Sequence, residues 1–418
     1  MPAGPRLLIA IPALNEEASI EETIRRCLAA REHIVATTGV SAVEITVVSD
    51  GSTDRTVELA SRYVDQYPDQ VQLIVFPQNR GYGAAIQEAW RRSDCELLAF
   101  LDADGTCDPR FFAELCRALD AADAAVVLGS RLDGDSAMPF VRRLGNWIFA
   151  AMLTLFSAQR VRDSASGMRV VRRSALPRLM PLPDGLHFTP AMSARAVLSG
   201  DLGIVEVGMP YHEREGQSKL KVFRDGLRFL RVIVEETLRH RPGRLLGLGG
   251  TLCLAAAVLL MIEPALYYLR HRSVLEWMIY RFVVSDLAAT LSALLFCSGY
   301  LADRIVRVTL APRRRPRSLL DRLFESRWFF AVPLALLFAG GLLVLPSALE
   351  LVETGGTYEH WSRFIVMSSC FSVAFVLAVT RLVVVTVDLV AERVAYLAEA
   401  ARRAVRRDDE PDAQQARG

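Results

Sequence analysis

Asp102 and Asp104 stand one residue apart at the end of the apolar run 97–101. A short apolar run that stops abruptly at charge reads as a buried strand reaching a sheet edge. Side chains at i and i+2 of a strand point the same way, so both carboxylates project together. Open α/β sheets bind their ligands at the carboxyl ends of strands. Paired hard oxygens suit Mg2+ or Mn2+, and those ions partner phosphates. Asp-Ala-Asp-Gly is also good turn chemistry, so a solvated turn competes for the same residues.

Other segments carry related chemistry. Asp50-Gly51-Ser52-Thr53-Asp54 follows a second apolar run; its first carboxylate can accept from a ribose or base, and Gly51 lets a ligand approach the backbone. A helix-capping turn, with the helix starting at Ser52 or Thr53, explains the same residues structurally. Asn79-Arg80-Gly81-Tyr82-Gly83-Ala84 opens a predicted helix, where backbone N–H groups beside an arginine make an anion site. Turns and caps use glycine too. Further on, the clusters around Arg131, Arg169 and 213–219 each set a cation beside a small residue, a pattern suited to neutralising phosphate. Ion pairing or solvation is the competing reading for each. Lys219 and Lys221 are the only lysines among 49 basic residues, which sets the 213–219 cluster apart. No Ser-His-Asp, Cys-His or Walker lysine arrangement is present.

The elements that must position these residues alternate over 1–130. Strands are predicted at 7–11, 44–48, 72–76, 97–101 and 126–128, with helices near 17–31, 53–67, 82–92 and 109–121. Such alternation predicts a mostly parallel sheet with helices on both faces. Asp108-Pro109 marks one helix start, a cap residue followed by proline. The chain of 418 residues has room for two or three domains, and its 52% hydrophobic content is concentrated after residue 244. Its seven cysteines form no CxxC or metal-ligand spacing and read as reduced, mostly buried thiols. The apolar stretch 7–14 is too short for a signal peptide and leads straight into Asn15-Glu16-Glu17.

Four apolar stretches, at 245–262, 282–302, 328–349 and 364–387, each approach the ~20 residues of a membrane span. Asp286 interrupts the second and Arg381 the fourth. The loop 303–327 carries eight arginines and the tail beyond 391 six more, whereas 350–363 has only Arg363 beside three glutamates. The positive-inside rule then puts the N-terminal domain, that loop and the tail in the cytoplasm. Between these halves, Leu220, Phe223, Leu227, Leu230 and Val234 repeat at helical spacing, with Lys221, Arg224, Arg228 and Arg231 on another face. This basic amphipathic helix suits an anionic membrane interface, with packing on its own domain as the alternative. Val141, Leu144, Ile148, Ala151, Met152 and Leu155 make a second stripe beside Arg142 and Arg143. Trp147 and Phe156 broaden it, and it suits either membrane contact or a core.

Ile11-Pro-Ala-Leu-Asn-Glu16, Val48-Ser-Asp-Gly-Ser-Thr-Asp54, Arg80-Gly-Tyr-Gly-Ala84, Leu101-Asp-Ala-Asp104, Gly129-Ser-Arg131, Ser166-Gly-Met-Arg169 and Arg214-Glu-Gly-Gln-Ser-Lys219 occur in that order. Together they resemble the family 2 glycosyltransferases, and within them the polyprenyl-phosphate glycosyltransferases that carry a four-helix membrane domain. The resemblance covers about 6–235. It implies an α/β GT-A domain (Rossmann-like, mostly parallel) at 1–212, an interfacial helix at 213–241, an all-α transmembrane domain at 242–390 and a basic tail at 391–418. The activity implied is inverting transfer of one sugar from a nucleotide-diphosphate sugar, of GDP-mannose or UDP-glucose type, to a polyprenyl phosphate. Its setting would be the cytoplasmic face of the cell membrane.

Carried over by position, Pro12, Ala13, Glu16, Asp50, Gly81, Gly83 and Ala103 would line the donor nucleotide. Asp102 and Asp104 would hold Mg2+ or Mn2+ with the diphosphate, and Arg131 and Arg214 would face phosphates at the catalytic centre. Arg131, Arg142, Arg143, Arg169 and Lys219 are the candidates for the acceptor phosphate. Two residues depart from the pattern: Ser49 replaces a frequent first aspartate, and Thr106 stands where mannosyltransferases offer a longer amide ligand. The partners expected are the donor, the lipid acceptor and the membrane. Nucleic acid is excluded, and self-association is left open. Another family 2 acceptor is the nearest alternative reading. From a different class comes a lipid flippase or transport subunit with a degenerate soluble domain, for which Asp286 and Arg381 speak.

Overall fold

The strand β1 (Arg6–Ala13) is buried from Leu7 onward, because it has neighbours on both edges and helices on both faces. Leu7, Ile9 and Ile11 point into one core, shared with Ile20, Ile24 and Cys27 of α1 (Ile20–Thr37), Leu59 of α2 (Thr56–Gln66) and Phe112, Leu115 and Leu119 of α4 (Phe112–Ala121). Leu8 and Ala10 point into the other, against Ile86 and Trp90 of α3 (Tyr82–Arg92) and Phe188 and Met192 of α7 (Phe188–Ser199). The period-2 alternation of one strand thus divides two helical layers. The computed structural model describes residues 4–132, 140–157, 159, 161–199, 202–210, 222–310, 319–326, 328–355 and 360–408.

β2 (Ala42–Asp50), β3 (Val71–Phe76), β4 (Leu97–Phe100), β5 (Val126–Ser130), β6 (Arg169–Arg172) and β7 (Ile204–Gly208) complete a seven-stranded sheet of order β3-β2-β1-β4-β6-β5-β7. β1 pairs in parallel with β2 (Leu7 opposite Val43) and with β4 (Leu7 opposite Leu97). β6 is antiparallel to β4 and β5, with Phe100 opposite Arg169. The chain winds from β1 outward to β3 and returns to add β4 on β1's other side. A crevice therefore opens where the ends of β1 and β4 diverge. Reversal of β6 brings its first residues to the same edge as the last residues of β4 and β5.

The expected strands and helices are present within a few residues of their predicted limits, except that α1 runs on to Thr37, six residues past its predicted end. One helix start differs. α2 begins at Thr56 with no side-chain cap, because Ser52 and Thr53 are engaged with Asn15 instead. Asp108 does cap the 3-10 turn Pro109–Phe111, accepting from the Arg110 N–H at 3.0 Å. Cys27, Cys95, Cys107 and Cys116 are free, buried thiols.

The described chain divides into two compact units, Met1–His240 and Arg241–Gly418. In the first, α5 (Phe140–Phe156) packs on α8 (Val222–His240) through Phe149 and Phe229, ring centroids 5.8 Å apart. α5 buries Asn146, Ala150, Leu153 and Phe156 while Leu144, Trp147, Ile148 and Leu155 are exposed, Trp147 to 65%. α8 buries Phe229 and Ile233 and leaves Leu227 and Leu230 exposed beside Arg224, Arg228 and Arg231. A buried ion pair anchors its last turns: Arg195 Nε of α7 donates to Glu236 Oε2 at 3.0 Å, and Nη1 donates to Leu179 O at 2.6 Å. The four-residue helix α6 (Leu176–Leu179) supplies that carbonyl.

The second unit consists of α9 (Pro242–His271), α10 (Ile279–Leu310), the short α11 (Leu319–Phe324), α12 (Ala331–Thr354) and α13 (Trp361–Asp408). Four segments, of 30, 34, 24 and 37 residues, are long and apolar enough to cross a membrane. Small and hydroxylated residues let their backbones approach. Ser285 and Ser292 of α10 donate to Ala257 O and Gly250 O of α9 at 3.0 and 2.9 Å. At one end, Arg304 bonds Asp388 and Glu325 while Arg307 grips Asp321 bidentately, both N–H···O distances 2.8 Å. Asp286 keeps one buried oxygen with no hydrogen-bond partner among the described residues.

Glu236→Gln removes the charge that compensates buried Arg195. It should lower unfolding stability by roughly 3 kcal/mol, read as a reduced melting temperature of the full chain in detergent.

Candidate active site

Three loops leave the sheet at the crevice edge, and side-chain to backbone hydrogen bonds tie them together. Asn15, in the left-handed region at φ 51°, accepts from Thr53 N–H at 2.7 Å and donates its own N–H to Ser52 Oγ. Asp54 accepts from the Glu17 N–H and from Thr56, while the Glu16 N–H donates to Thr56 Oγ1. The loop after β1, which carries Pro12, Ala13 and Glu16, is thereby fastened to the loop after β2. Ser49, the departure noted in sequence, bonds Ser52 Oγ at 3.0 Å and so belongs to this brace.

Asp50 is buried at the end of β2, and both its oxygens meet backbone: Arg80 N–H at 2.6 Å and Gly81 N–H at 2.9 Å. The Ala84 N–H donates to Asp184 O at 3.0 Å. The glycine-rich start of α3 is therefore not the open anion cradle expected from Gly81 and Gly83. Three of its N–H groups already have protein acceptors. Its glycines serve close packing instead, since a Cβ at Gly81 would lie 2.4 Å from Asp184 O and one at Gly83 2.2 Å from Pro183 O. Arg80 is exposed and lies over the Phe76 ring.

Asp102 and Asp104 leave the end of β4, with Ala103 between them turned into the core. Thr23 of α1 donates to Ala103 O at 3.1 Å, and Arg26 to Gly105 O at 3.0 Å, so α1 holds this loop. Asp104 Oδ1 accepts from Thr106 Oγ1 at 2.7 Å and from Thr106 N–H at 3.2 Å. Thr106 thus orients the second aspartate from a buried position. Asp102 Oδ1 accepts from the Tyr82 hydroxyl at 2.7 Å. Burial, then the neighbouring Asp102 charge, pushes the Tyr82 phenol well above its ordinary value, so it remains a proton donor. Burial also pushes the Cys107 thiol up to about 12, leaving no nucleophilic thiolate here.

The arginines divide differently from the expectation. Arg169 is fully buried and donates to Ser166 O, Ser164 O and Ser193 Oγ at 3.0, 2.8 and 2.9 Å. Burial pulls it down to about 10. It holds the 164–166 turn from inside, and this replaces the acceptor-phosphate contact expected of it. Arg131 grips Asp163 through Nε and Nη2 at 2.8 and 2.7 Å, and its own N–H joins at 2.9 Å. Asn146 of α5 donates to the same carboxylate at 3.1 Å, and Glu206 accepts from the Asp163 N–H. Arg142 and Arg143 fall in the first turn of α5, and Arg143 is exposed. Arg214 and Lys219 lie outside the described residues.

Sequence reading missed Tyr82, Asn15, Asn146 and Asp163 as members of this edge. Tyr82 sits inside a motif singled out for its glycines, whereas Asp163 belongs to no pattern at all. The edge unites paired carboxylates with a topological switch point, the place where open α/β sheets bind their ligands. Residues 8–180 match Glycosyl transferase family 2. The chain is 30% identical to the dolichyl-phosphate hexose transferase of Haloferax volcanii over 47% of its own length and 82% of that protein's. It belongs to glycosyl transferase family 2 and is a glycosyltransferase.

The low-salt glycan biosynthesis hexosyltransferase of the same organism is 34% identical over 61% of this chain, and the match spans 60% of that relative's length. The dodecaprenyl-phosphate galacturonate synthase of Rhizobium johnstonii is 25% identical over 77% of this chain and 94% of its own. Among solved structures, glucosyl-3-phosphoglycerate synthase of Mycobacterium tuberculosis, in complex with Mn2+, UDP and phosphoglyceric acid, aligns with TM-score 0.44 and 18% identity. That alignment covers 56% of this chain and 79% of the other.

A methyl group at Gly167 would stand 1.9 Å from Asp102 Oδ2. Gly167→Ala should therefore displace that carboxylate and cut sugar transfer by roughly a hundredfold, measured beside an unchanged melting temperature. For Asp163, burial opposes ionisation, but the Arg131 charge and hydrogen bonds outweigh it and hold the carboxyl below its usual range. The stability this adds is complete above the ordinary Asp value of ~3.9 and disappears as pH falls through the depressed one. Asp163→Asn should flatten that acid limb in melting curves taken from pH 3 to 7.

Proposed function

We propose that this chain transfers a single sugar, with inversion, from a nucleotide-diphosphate sugar to a polyprenyl phosphate. The carrying observation is the Asp102–Asp104 pair at the end of β4, in a chain with four helices long enough to span a membrane. Relatives named as acting on dolichyl phosphate and dodecaprenyl phosphate support a lipid-phosphate acceptor. Under this reading the domains are 1–212, 213–241, 242–390 and 391–418, with the catalytic part and the tail cytoplasmic.

The donor set fits a divalent cation. Two carboxylates stand at one edge and hydrogen bonds steady them, which suits an ion that keeps several waters and shares substrate phosphates. Asp102 and Asp104 would hold it, and it would neutralise charge on the departing nucleoside diphosphate. The loops carrying Pro12, Ala13, Glu16 and Asp50 would line the nucleoside. Arg131, kept in place by Asp163, would present a cationic flank, with Arg142, Arg143, Arg214 and Lys219 toward the acceptor phosphate. That acceptor needs no general base. A phosphate monoester has its second pKa near ~6 and is largely a dianion at neutral pH, whereas a sugar hydroxyl must lose a proton. Alignment and charge neutralisation are then what the protein must supply. The exposed apolar faces of α5 and α8, beside their arginines, suit contact with an anionic lipid surface and would keep the enzyme in its acceptor's plane.

Purified full-length protein in detergent, given radiolabelled nucleotide sugars, Mn2+ or Mg2+, and undecaprenyl phosphate, should form a lipid-linked sugar. Asp104→Asn should drop transfer below detection. Lipid binding without transfer from any common donor would overturn the reading and favour a transport subunit.

A further inference from the structure

We propose that Tyr82 is a positioning residue that sets the Asp102 carboxylate for the donor's diphosphate and cation. This rests on the donor-and-cation reading of the aspartate pair. The Tyr82 ring packs edge-on against Phe100 and Phe188, centroids 6.4 and 6.5 Å away, and a phenylalanine would satisfy those contacts equally. Its hydroxyl is the only part that needs a polar partner, and that partner is Asp102 Oδ1 at 2.7 Å. On the carboxylate's other side lies Gly167, where no side chain fits. Asp102 therefore has a donor on Oδ1, and its Oδ2 occupies the space that a side chain at position 167 would take.

The same arrangement explains the Gly-Tyr-Gly motif. Asp50 pins the start of α3 through the N–H groups of Arg80 and Gly81, and Asp184 O holds Ala84. Gly81 and Gly83 let that start press against 183–188, which delivers the Tyr82 hydroxyl to the end of β4. The glycines thus serve the aspartate pair through the tyrosine between them. A carboxylate already fixed in place loses less side-chain freedom when it takes a cation, as with other residues that orient metal ligands.

The test titrates Mn2+ alone into the full-length protein in detergent, with bound ion read by electron paramagnetic resonance. Tyr82→Phe should bind about tenfold more weakly than the unsubstituted protein at an unchanged melting temperature. Val71→Ala, at the start of β3 in the opposite core, loosens packing without touching Tyr82, Phe100 or the 183–188 segment. It should lower the melting temperature and leave Mn2+ affinity within about twofold. Equal affinity for Tyr82→Phe and the unsubstituted protein, equal losses in both variants, or no Mn2+ binding at all would each overturn the assignment. Its failure is separable from that of the function. Weakened binding in Tyr82→Phe without any sugar transfer by the parent protein sinks only the transferase reading. Transfer with unweakened binding sinks only the role of Tyr82.

Discussion

Two carboxylates can act together at one sheet edge only if the protein supplies donors that hold each of them in place. Thr106 does this for Asp104 with an O–H and an N–H, and Tyr82 does it for Asp102. Most of the surrounding architecture serves that need. Ala103 turns into the core so that its neighbours turn out, and Thr23 and Arg26 of α1 grip the carbonyls of Ala103 and Gly105. Burying the start of α1 against β1 therefore also fixes the spacing of the acids.

The half of the sheet beyond β4 is organised by buried charge. Arg169 enters the core at the start of β6, where its N–H groups donate to two carbonyls and to the Ser193 hydroxyl, which itself donates to Ser164 O at 3.0 Å. Arg131 and Asp163 form a second such centre, and Arg195 with Glu236 a third. Desolvating these ions costs more than most surface pairs return, so each is a point where removing one partner does disproportionate harm. What they provide is geometry. Arg169 and the Arg131–Asp163 pair hold the 161–169 segment at the edge where β4 and β5 end, something an all-parallel continuation of the sheet would not do.

Strands β1 to β5 and the helices between them were legible because burial on both faces writes continuous apolar runs, punctuated by polar turns. The aspartate pair was legible for the same reason, as charge ending such a run. Three things were not. The antiparallel β6 is only four residues long and begins with an arginine, so it carries no strand signature. The glycine motif at 81–83 has the composition of an anion cradle, and only the 183–188 segment, a hundred residues downstream, shows that packing uses it. Arginine clusters read alike whether they meet phosphate or a buried carboxylate. Arg169 and Arg131 are distinguished by Ser164, Ser193 and Asp163, whose proximity no local spacing encodes.

Under the proposed lipid-phosphate reading, α5 joins two tasks that such a transferase must carry out. One face carries Asn146, whose amide donates to the Asp163 carboxylate that holds Arg131, and whose oxygen accepts from Ser164. The opposite face exposes Leu144, Trp147, Ile148 and Leu155, an apolar stripe that no other described element of its unit covers. Covering that stripe with hydrocarbon would remove its cost of exposure to water and fix the helix's rotation at the same time. Because Asn146 lies on that same rigid helix, the rotation that buries the stripe also sets where Asn146 meets Asp163. A change on the apolar face would therefore reach Arg131 through one helix and two hydrogen-bonded side chains. Exposed Trp147 and buried Asn146 are adjacent in sequence, so the apolar stripe and the Asp163–Arg131 pair are linked through a single helical turn.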